Sequence, residues 1–293
     1  MQETRIAVPV EGGVTLAARV YPSPGPHASA LLLHHGLASS QHIWDLMIPR
    51  LTRRSRVVTF DARGHGESSK PTSGFGFERT VADLAAVADA AHLRSPTVVG
   101  HSWGAMVALE AMVARPRRFA GAVLVDGGLV PLGRSMDWPT ARARLAPPHL
   151  SGMPLEEFRG MMRTFLADAV DVTPDIEAIV LSVMRIDGSG RIHPRLSRAN
   201  HLRILHAIWD QDPIALYGRV RRPVLAVLAR TEGGTDDDRE RLALKRSAMR
   251  EAREAAGDGD VRFTWIDGIH DLPIQHPGTL AARLERFVAS VVG

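Results

Sequence analysis

Gly100-His101-Ser102-Trp103-Gly104 decides the reading of this chain. The apolar run Thr97-Val98-Val99 precedes it, and a helix-patterned stretch from Trp103 to Arg115 follows. Strand, sharp turn bearing a serine, then helix is the arrangement of a nucleophile elbow. Such a turn needs residues without bulk on both sides, so glycine stands two before and two after the serine. The bend lifts the hydroxyl above the end of a sheet, where a base and a carbonyl can both reach it. A serine held in this way points to acyl transfer through a covalent intermediate.

The rest of the composition suits that reading. The chain has 293 residues, 45% of them hydrophobic, which is enough for a sizeable core in one α/β domain carrying an insertion. There is no cysteine, which excludes disulfides, thiolate metal sites and cysteine nucleophiles. Met1 to Val10 has no basic segment leading into an apolar one, and no uncharged apolar run approaches membrane-spanning length. The expectation is a cytoplasmic protein with no membrane partner. The net charge of +4 is carried by arginine, since only Lys70 and Lys245 are lysines. The arginine clusters at 50–56 and 115–118 fall at expected helix C-termini, where cations favour the dipole. They lack the interleaved aromatics of a nucleic-acid face, so no nucleic-acid partner is expected.

Working outward from the elbow, Arg5 to Val10 and Val14 to Val20 read as a hairpin about Gly12-Gly13. Leu31 to Leu33, Val57 to Phe60, Thr97 to Val99 and Ala122 to Val125 are short aliphatic strands alternating with helical stretches at Ser40 to Arg53, Thr80 to Leu93 and Trp103 to Arg115. Continuous aliphatic strands alternating with helices indicate a parallel sheet covered on both faces. The alternation stops after Asp126-Gly127-Gly128. From Val130 to Tyr217 the pattern shows helices and no strand, and five of the ten methionines lie there. It resumes with Val224 to Leu228, Asp237 to Ala256, Val261 to Ile266 and Thr279 to Val292. The organisation expected is a core domain of residues 1–129 and 218–293, interrupted by a helical cap of residues 130–217.

Four motifs in this order carry a family resemblance: His35-Gly36, Asp61-Ala62-Arg63-Gly64-His65-Gly66-Glu67-Ser68, Gly100 to Gly104, and Gly268-Ile269-His270-Asp271. The chain resembles the α/β-hydrolase superfamily over nearly its whole length, less securely in the insertion. The resemblance implies an α/β-hydrolase fold, with a mostly parallel central sheet, helices on both faces and a helical cap.

Serine needs a base at neutral pH, and histidine has the suitable pKa. Of thirteen histidines, His270 follows the last strand and would emerge at the same edge of the sheet as Ser102; the superfamily keeps its catalytic histidine there. A carboxylate should orient the imidazole, and in chain order it falls between Ser102 and His270. Asp126, at the end of the strand after the elbow helix, is favoured. Glu232, past the next strand, stays open as the alternative. An oxyanion needs two N–H donors. Trp103 supplies one from its helix N-terminus, and the resemblance assigns the other to Leu37. No H-E-x-x-H or clustered carboxylate supports a metal, and no phosphate loop is present, so no metal and no cofactor are expected. The Asp61 to Ser68 segment reads as structural, with Arg63 and His65 bracing loops.

Trp44 and Trp138 are candidate pocket residues, joined by Trp103 and Leu37, with the methionines and tryptophans of the cap as an adaptable roof. Such a pocket favours a neutral, apolar small molecule. The activity this implies is serine hydrolysis of a carboxylic ester or lactone. Thioesterase, amidase and carbon–carbon hydrolase reactions use the same machinery, and a non-hydrolytic cyclase or ligand-binding protein on this scaffold stays open.

Overall fold

The computed structural model describes residues 3–22, 25, 29–231 and 235–292. Its strands in chain order are β1 (Thr4–Val10), β2 (Val14–Tyr21), β3 (Ser29–His34), β4 (Ser55–Phe60), β5 (Thr97–His101), β6 (Gly121–Val125), the short β7 (Met153–Pro154), β8 (Met184–Ile186) and β9 (Arg191–Pro194), then β10 (Val224–Arg230) and β11 (Val261–Asp267). Eight of them form one sheet in the order β1-β2-β4-β3-β5-β6-β10-β11. Only β2 runs against the others. The right half, from β4 to β11, is wholly parallel. This is an α/β-hydrolase fold.

The central strands β3, β6 and β10 are nearly all aliphatic because both faces of the sheet are buried there. Successive side chains point to opposite faces. Leu31, Leu33, Val57, Val99, Val123 and Val125 enter one core. Their neighbours Leu32, Val58, Val98, Ala122 and Leu124 enter the other. Helices Phe77–Ala90 and Trp103–Ala114 cover the second face. Helix Pro277–Val292 covers the first through Leu280, Ala281 and Leu284. At roughly 25 cal/mol per Å², these aliphatic faces are the main favourable term in folding.

Two local expectations change. The stretch from Ser40 to Arg53 is two short pieces, a 3-10 turn at Gln41–Trp44 and a helix at Ile48–Leu51, with Pro49 in the latter's first turn. The insertion is not purely helical either. Between β6 and β10 it holds helices such as Leu155–Leu166, Pro174–Leu181 and Arg198–Asp210, together with an antiparallel sheet in the order β7-β9-β8. The β8–β9 hairpin turns on Asp187-Gly188-Ser189-Gly190. There Asp187 Oδ1 accepts from the Ser189 amide at 2.9 Å, and Gly190 takes a positive φ of 75°. These strands span two to four residues, too few to establish an alternating pattern in the sequence.

The insertion is bonded to loops at the carboxyl end of the main sheet. Ser182 Oγ lies 2.6 Å from Ser40 Oγ, and Asn200 Nδ2 donates to the Pro71 carbonyl at 2.8 Å. Among the described residues no helix is long and apolar enough to cross a membrane.

Candidate active site

β5 ends at His101, and helix Trp103–Ala114 starts at the next residue but one. Ser102 makes the turn alone, at φ 54° and ψ −116°. That is a strained conformation for a residue with a side chain. The flanking glycines are required by close approach. A Cβ on Gly100 would lie 2.1 Å from the Gly104 carbonyl oxygen, and one on Gly104 would lie 2.4 Å from that of His34. The Ser102 amide still donates to the Val125 carbonyl at 2.9 Å, so the sheet ladder anchors the turn.

β6 delivers Asp126 beside it, at φ 44°, with its amide donating to the Val227 carbonyl at 2.8 Å. A Cβ on Gly127 would sit 2.1 Å from the Ser102 carbonyl oxygen, so the two strand ends touch. The loop after β11 brings His270, whose Nδ1 lies 2.7 Å from Asp126 Oδ2. The structure therefore brings Ser102, Asp126 and His270 to the carboxyl ends of three strands of one sheet. Glu232 lies outside the described residues.

Asp126 is buried and fully bonded. Besides His270, its carboxylate accepts from the Ala229 amide at 2.8 Å and from Lys245 Nζ at 2.7 and 2.9 Å. Burial raises the carboxyl pKa, but the hydrogen bond and charge of His270, and then Lys245, outweigh it and leave it at about 2. His270 responds the other way. Partial withdrawal from solvent opposes its charged form, while the hydrogen bond and charge of Asp126 and the charge of Asp271 raise its pKa above the ordinary value. Lys245 acts on it in the lowering direction.

Sequence reasoning missed Lys245. A signal was present: Lys245, Ala248 and Ala252 follow helical spacing on Asp236–Ala256, and both alanines are buried. A lysine on a buried stripe needs a partner.

Ser102 and His270 share no side-chain hydrogen bond, and the His270 side chain is 52% exposed. They are joined through His101, whose Nε2 donates to the His270 carbonyl at 3.0 Å with the two rings 4.9 Å apart. With Nδ1 bonded to Asp126, Nε2 of His270 is the nitrogen left for another group. Bonds of this kind often tighten only when substrate arrives. His101 itself is buried, and burial followed by the neighbouring His270 lowers its pKa to about 4.

Across the turn, a Cβ on Gly36 would lie 3.1 Å from Ser102 Cβ, so the loop carrying Leu37 passes directly over the serine. Among the described residues, neither the Leu37 nor the Trp103 amide has an acceptor. His34 and His35 are buried and serve this loop. His34 Nδ1 donates to the His35 carbonyl at 2.8 Å, and His35 Nδ1 donates to that of Gly36 at 2.7 Å. Burial, then the neighbouring His35, pushes the His34 pKa down to about 3. The Asp61 to Ser68 segment braces in the same way. Arg63 makes a two-bond pair with Asp83 at 2.6 and 2.7 Å, and Asp61 accepts from the Gln41 and Glu67 amides.

The pocket expectations need correction. Trp44 is fully buried in the core among Leu31, Leu33 and Met47. The Trp103 indole is equally buried, stacked on His65 with centroids 5.4 Å apart. Trp138 packs against His206 and Trp209 within the insertion. A cavity of about 470 Å³ opens instead between Ala38, Ser39, His65 and Gly66 of the core and residues 147–201 of the insertion. Phe158, Val183, Met184 and Leu196 make its apolar wall, so Met184 is the one cap methionine in it. Its wall also contains Arg195 and Arg198, against the expectation of a neutral pocket. Ser102 is not in this wall; Ala38 and Ser39 join the cavity to the Gly36-Leu37 loop above the serine.

A family model described as alpha/beta hydrolase fold matches residues 29–169. The chain is similar to a non-heme chloroperoxidase of Streptomyces lividans, at 40% identity over 98 residues, 33% of this chain and 36% of that protein. It is also similar to a protein of Agrobacterium fabrum provisionally named carbamate hydrolase RutD, at 27% identity over 89% of this chain and 93% of that protein. The chain spans less than half the length of several curated relatives it matches, the chloroperoxidase and a haloalkane dehalogenase of Mesorhizobium japonicum among them. In solved structures, the fold of E-2-(acetamidomethylene)succinate hydrolase superposes with a TM-score of 0.79 at 19% identity, over 98% of this chain and 100% of that one.

Proposed function

We propose that this chain, which has the α/β-hydrolase fold, cleaves a carboxylic ester or lactone through an acyl-enzyme on Ser102. The observation that carries this reading is the 2.7 Å contact between His270 Nδ1 and buried Asp126, beside a serine held at positive φ. Asp126 fixes the imidazole with its proton on Nδ1, which leaves the Nε2 lone pair to act as base. Ser102 Oγ attacks the substrate carbonyl and His270 takes its proton. The carbonyl oxygen becomes an anion, and the Leu37 and Trp103 amides donate to it. The intermediate collapses, and the leaving alkoxide receives the proton from His270. Water then gives a proton to the same imidazole, attacks the acyl carbon and releases the acid, with Ser102 recovering its proton.

Residues 130–217 serve as a lid in this scheme. They close the cavity beside the Leu37 loop and keep bulk water from the acyl-enzyme. The substrate is a small molecule, and its acyl part occupies that cavity. A serine at the elbow matters for the choice among relatives. An alkoxide adds to a carbonyl and leaves an ester that water cleaves at its acyl carbon. Displacement at a saturated carbon by serine would leave an ether, which water does not cleave.

Labelling with a fluorophosphonate tests the nucleophile. The wild type is expected to take up one equivalent, and S102A none, with both turning over or failing to turn over p-nitrophenyl butyrate accordingly. Undiminished labelling of S102A ends the assignment. One equivalent of p-nitrophenol without turnover would mark a binding protein on this scaffold.

A further inference from the structure

We propose that the substrate carries a carboxylate at the end of its acyl part remote from the reacting carbonyl, and that Arg195 and Arg198 in the cavity wall recognise it. This rests on the serine-hydrolase reading above and names the class of substrate for that site. The cavity has an apolar wall of Phe158, Val183, Met184 and Leu196, and Arg195 and Arg198 line it with them. No aspartate or glutamate lines it. Among the described residues neither arginine has an ion-pair partner. Arg195 Nε donates to the Met184 carbonyl at 3.1 Å, which fixes the plane of its head and leaves both η nitrogens to a ligand. Arg198 donates through one η nitrogen to the carbonyl of Pro147, which also lines the cavity.

One neighbouring group is a cation, Lys70, and another, His201, is kept from charging by burial. The charge of Arg195 acts on Lys70, whose Nζ donates to the His65 and Gly66 carbonyls behind the cavity. The charge of Arg198 acts on His201 in the same wall. Asp61 and Glu67 also face Lys70, but the Asp61 carboxylate already accepts from two amides and from Gln41 Nε2. An apolar cavity that holds like charges together, with no acid in its wall, has a positive potential that an incoming anion relieves. The planar fork of arginine matches a carboxylate with two parallel hydrogen bonds. The volume of about 470 Å³ lies in the range for small-molecule sites. His65 lies in the same wall, and its Nδ1 donates to the Arg63 carbonyl at 3.0 Å.

The experiment compares p-nitrophenyl esters of matched length: the monoesters of adipate and suberate, ending in a carboxylate, against hexanoate and octanoate, ending in a methyl. The readout is the ratio of kcat/KM, carboxylate over methyl, in wild type, R195M, R195K and R198M. A charged hydrogen-bonded contact supports a wild-type ratio of about tenfold or more at the better-fitting length. It should fall towards one in R195M, recover in part in R195K, fall in R198M, and decline as salt rises. A wild-type ratio below about threefold at both lengths, or a ratio that R195M leaves within about threefold of wild type, overturns the proposal. The wild-type ratio and its salt dependence need no variant to fold. Fluorophosphonate uptake by Ser102 separates the two readings. Labelling with no carboxylate preference removes this inference alone, whereas absence of labelling removes the reading beneath it.

Discussion

Lys245 and His270 share one carboxylate: Lys245 Nζ lies 2.7 Å from Asp126 Oδ1, and His270 Nδ1 lies 2.7 Å from Oδ2. The lysine comes from the helix after β10 and also donates to the Ala229 carbonyl at 3.0 Å, so its ammonium is held in place. This arrangement sets two opposing effects on the proposed base. Asp126 favours the imidazolium, and Lys245 disfavours it.

Replacing Lys245 by methionine removes only the second effect. The imidazole must be neutral to take the serine proton, so the acid limb of kcat/KM follows the His270 pKa. That value already stands above the ordinary one and should rise further in K245M, moving the acid limb to higher pH. A limb that stays in place or moves down would show that Lys245 does not act on the base. The variant also leaves buried Asp126 with one cation fewer. Breaking a buried pair costs about 3–5 kcal/mol, and the partial exposure of Lys245 brings the expected loss to about 2 kcal/mol. The folded pKa of Asp126 is depressed to about 2 from 3.8, so the pair contributes fully above about pH 4 and is lost as pH falls towards 2. Chemical denaturation of both proteins at pH 7 and pH 2.5 should show the stability gap narrowing at the acid end.

Asparagine at position 126 keeps the shape of the side chain and removes its charge. Its amide can donate to Nδ1, which puts the imidazole proton on Nε2, facing the serine. On the precedent of triad enzymes, kcat should fall by about 10³ to 10⁴, with fluorophosphonate labelling slowed in parallel. E232Q is the companion variant and should keep most of the wild-type rate. The opposite pattern, a collapse in E232Q with D126N near wild type, would transfer the orienting role to Glu232.

The residues that could be read from the sequence are those whose backbone demands something unusual. Gly100 and Gly104 are there because a Cβ would strike a carbonyl, and Asp126 ends an aliphatic run at a glycine turn. The sheet was legible because strands buried on both faces must be aliphatic at every position. Lys245 was not, since its partner lies 119 positions away and only the buried alanines beside it mark its face. Trp44 and Trp103 look the same in a core as in a pocket, and the fold alone decides which they fill. Arg195 and Arg198 were invisible for a related reason. In a chain rich in arginine, the two that face a cavity carry no local mark.

Ser102 pays for its exposure with backbone strain, and this yields a prediction about stability rather than rate. At φ 54° and ψ −116° a side chain is crowded, and such conformations cost about 1–3 kcal/mol. Alanine keeps that crowding, and glycine removes it. Glycine also loosens the unfolded chain, which offsets about 0.5–1 kcal/mol. S102G should therefore be more stable than S102A by about 1 kcal/mol, a rise in Tm of about 2 °C for a chain of this length, while both are inactive. Thermal unfolding of the two variants side by side measures the difference without any substrate. If S102G melts at or below S102A, the turn is not strained at this residue, and the hydroxyl is presented by some other geometry.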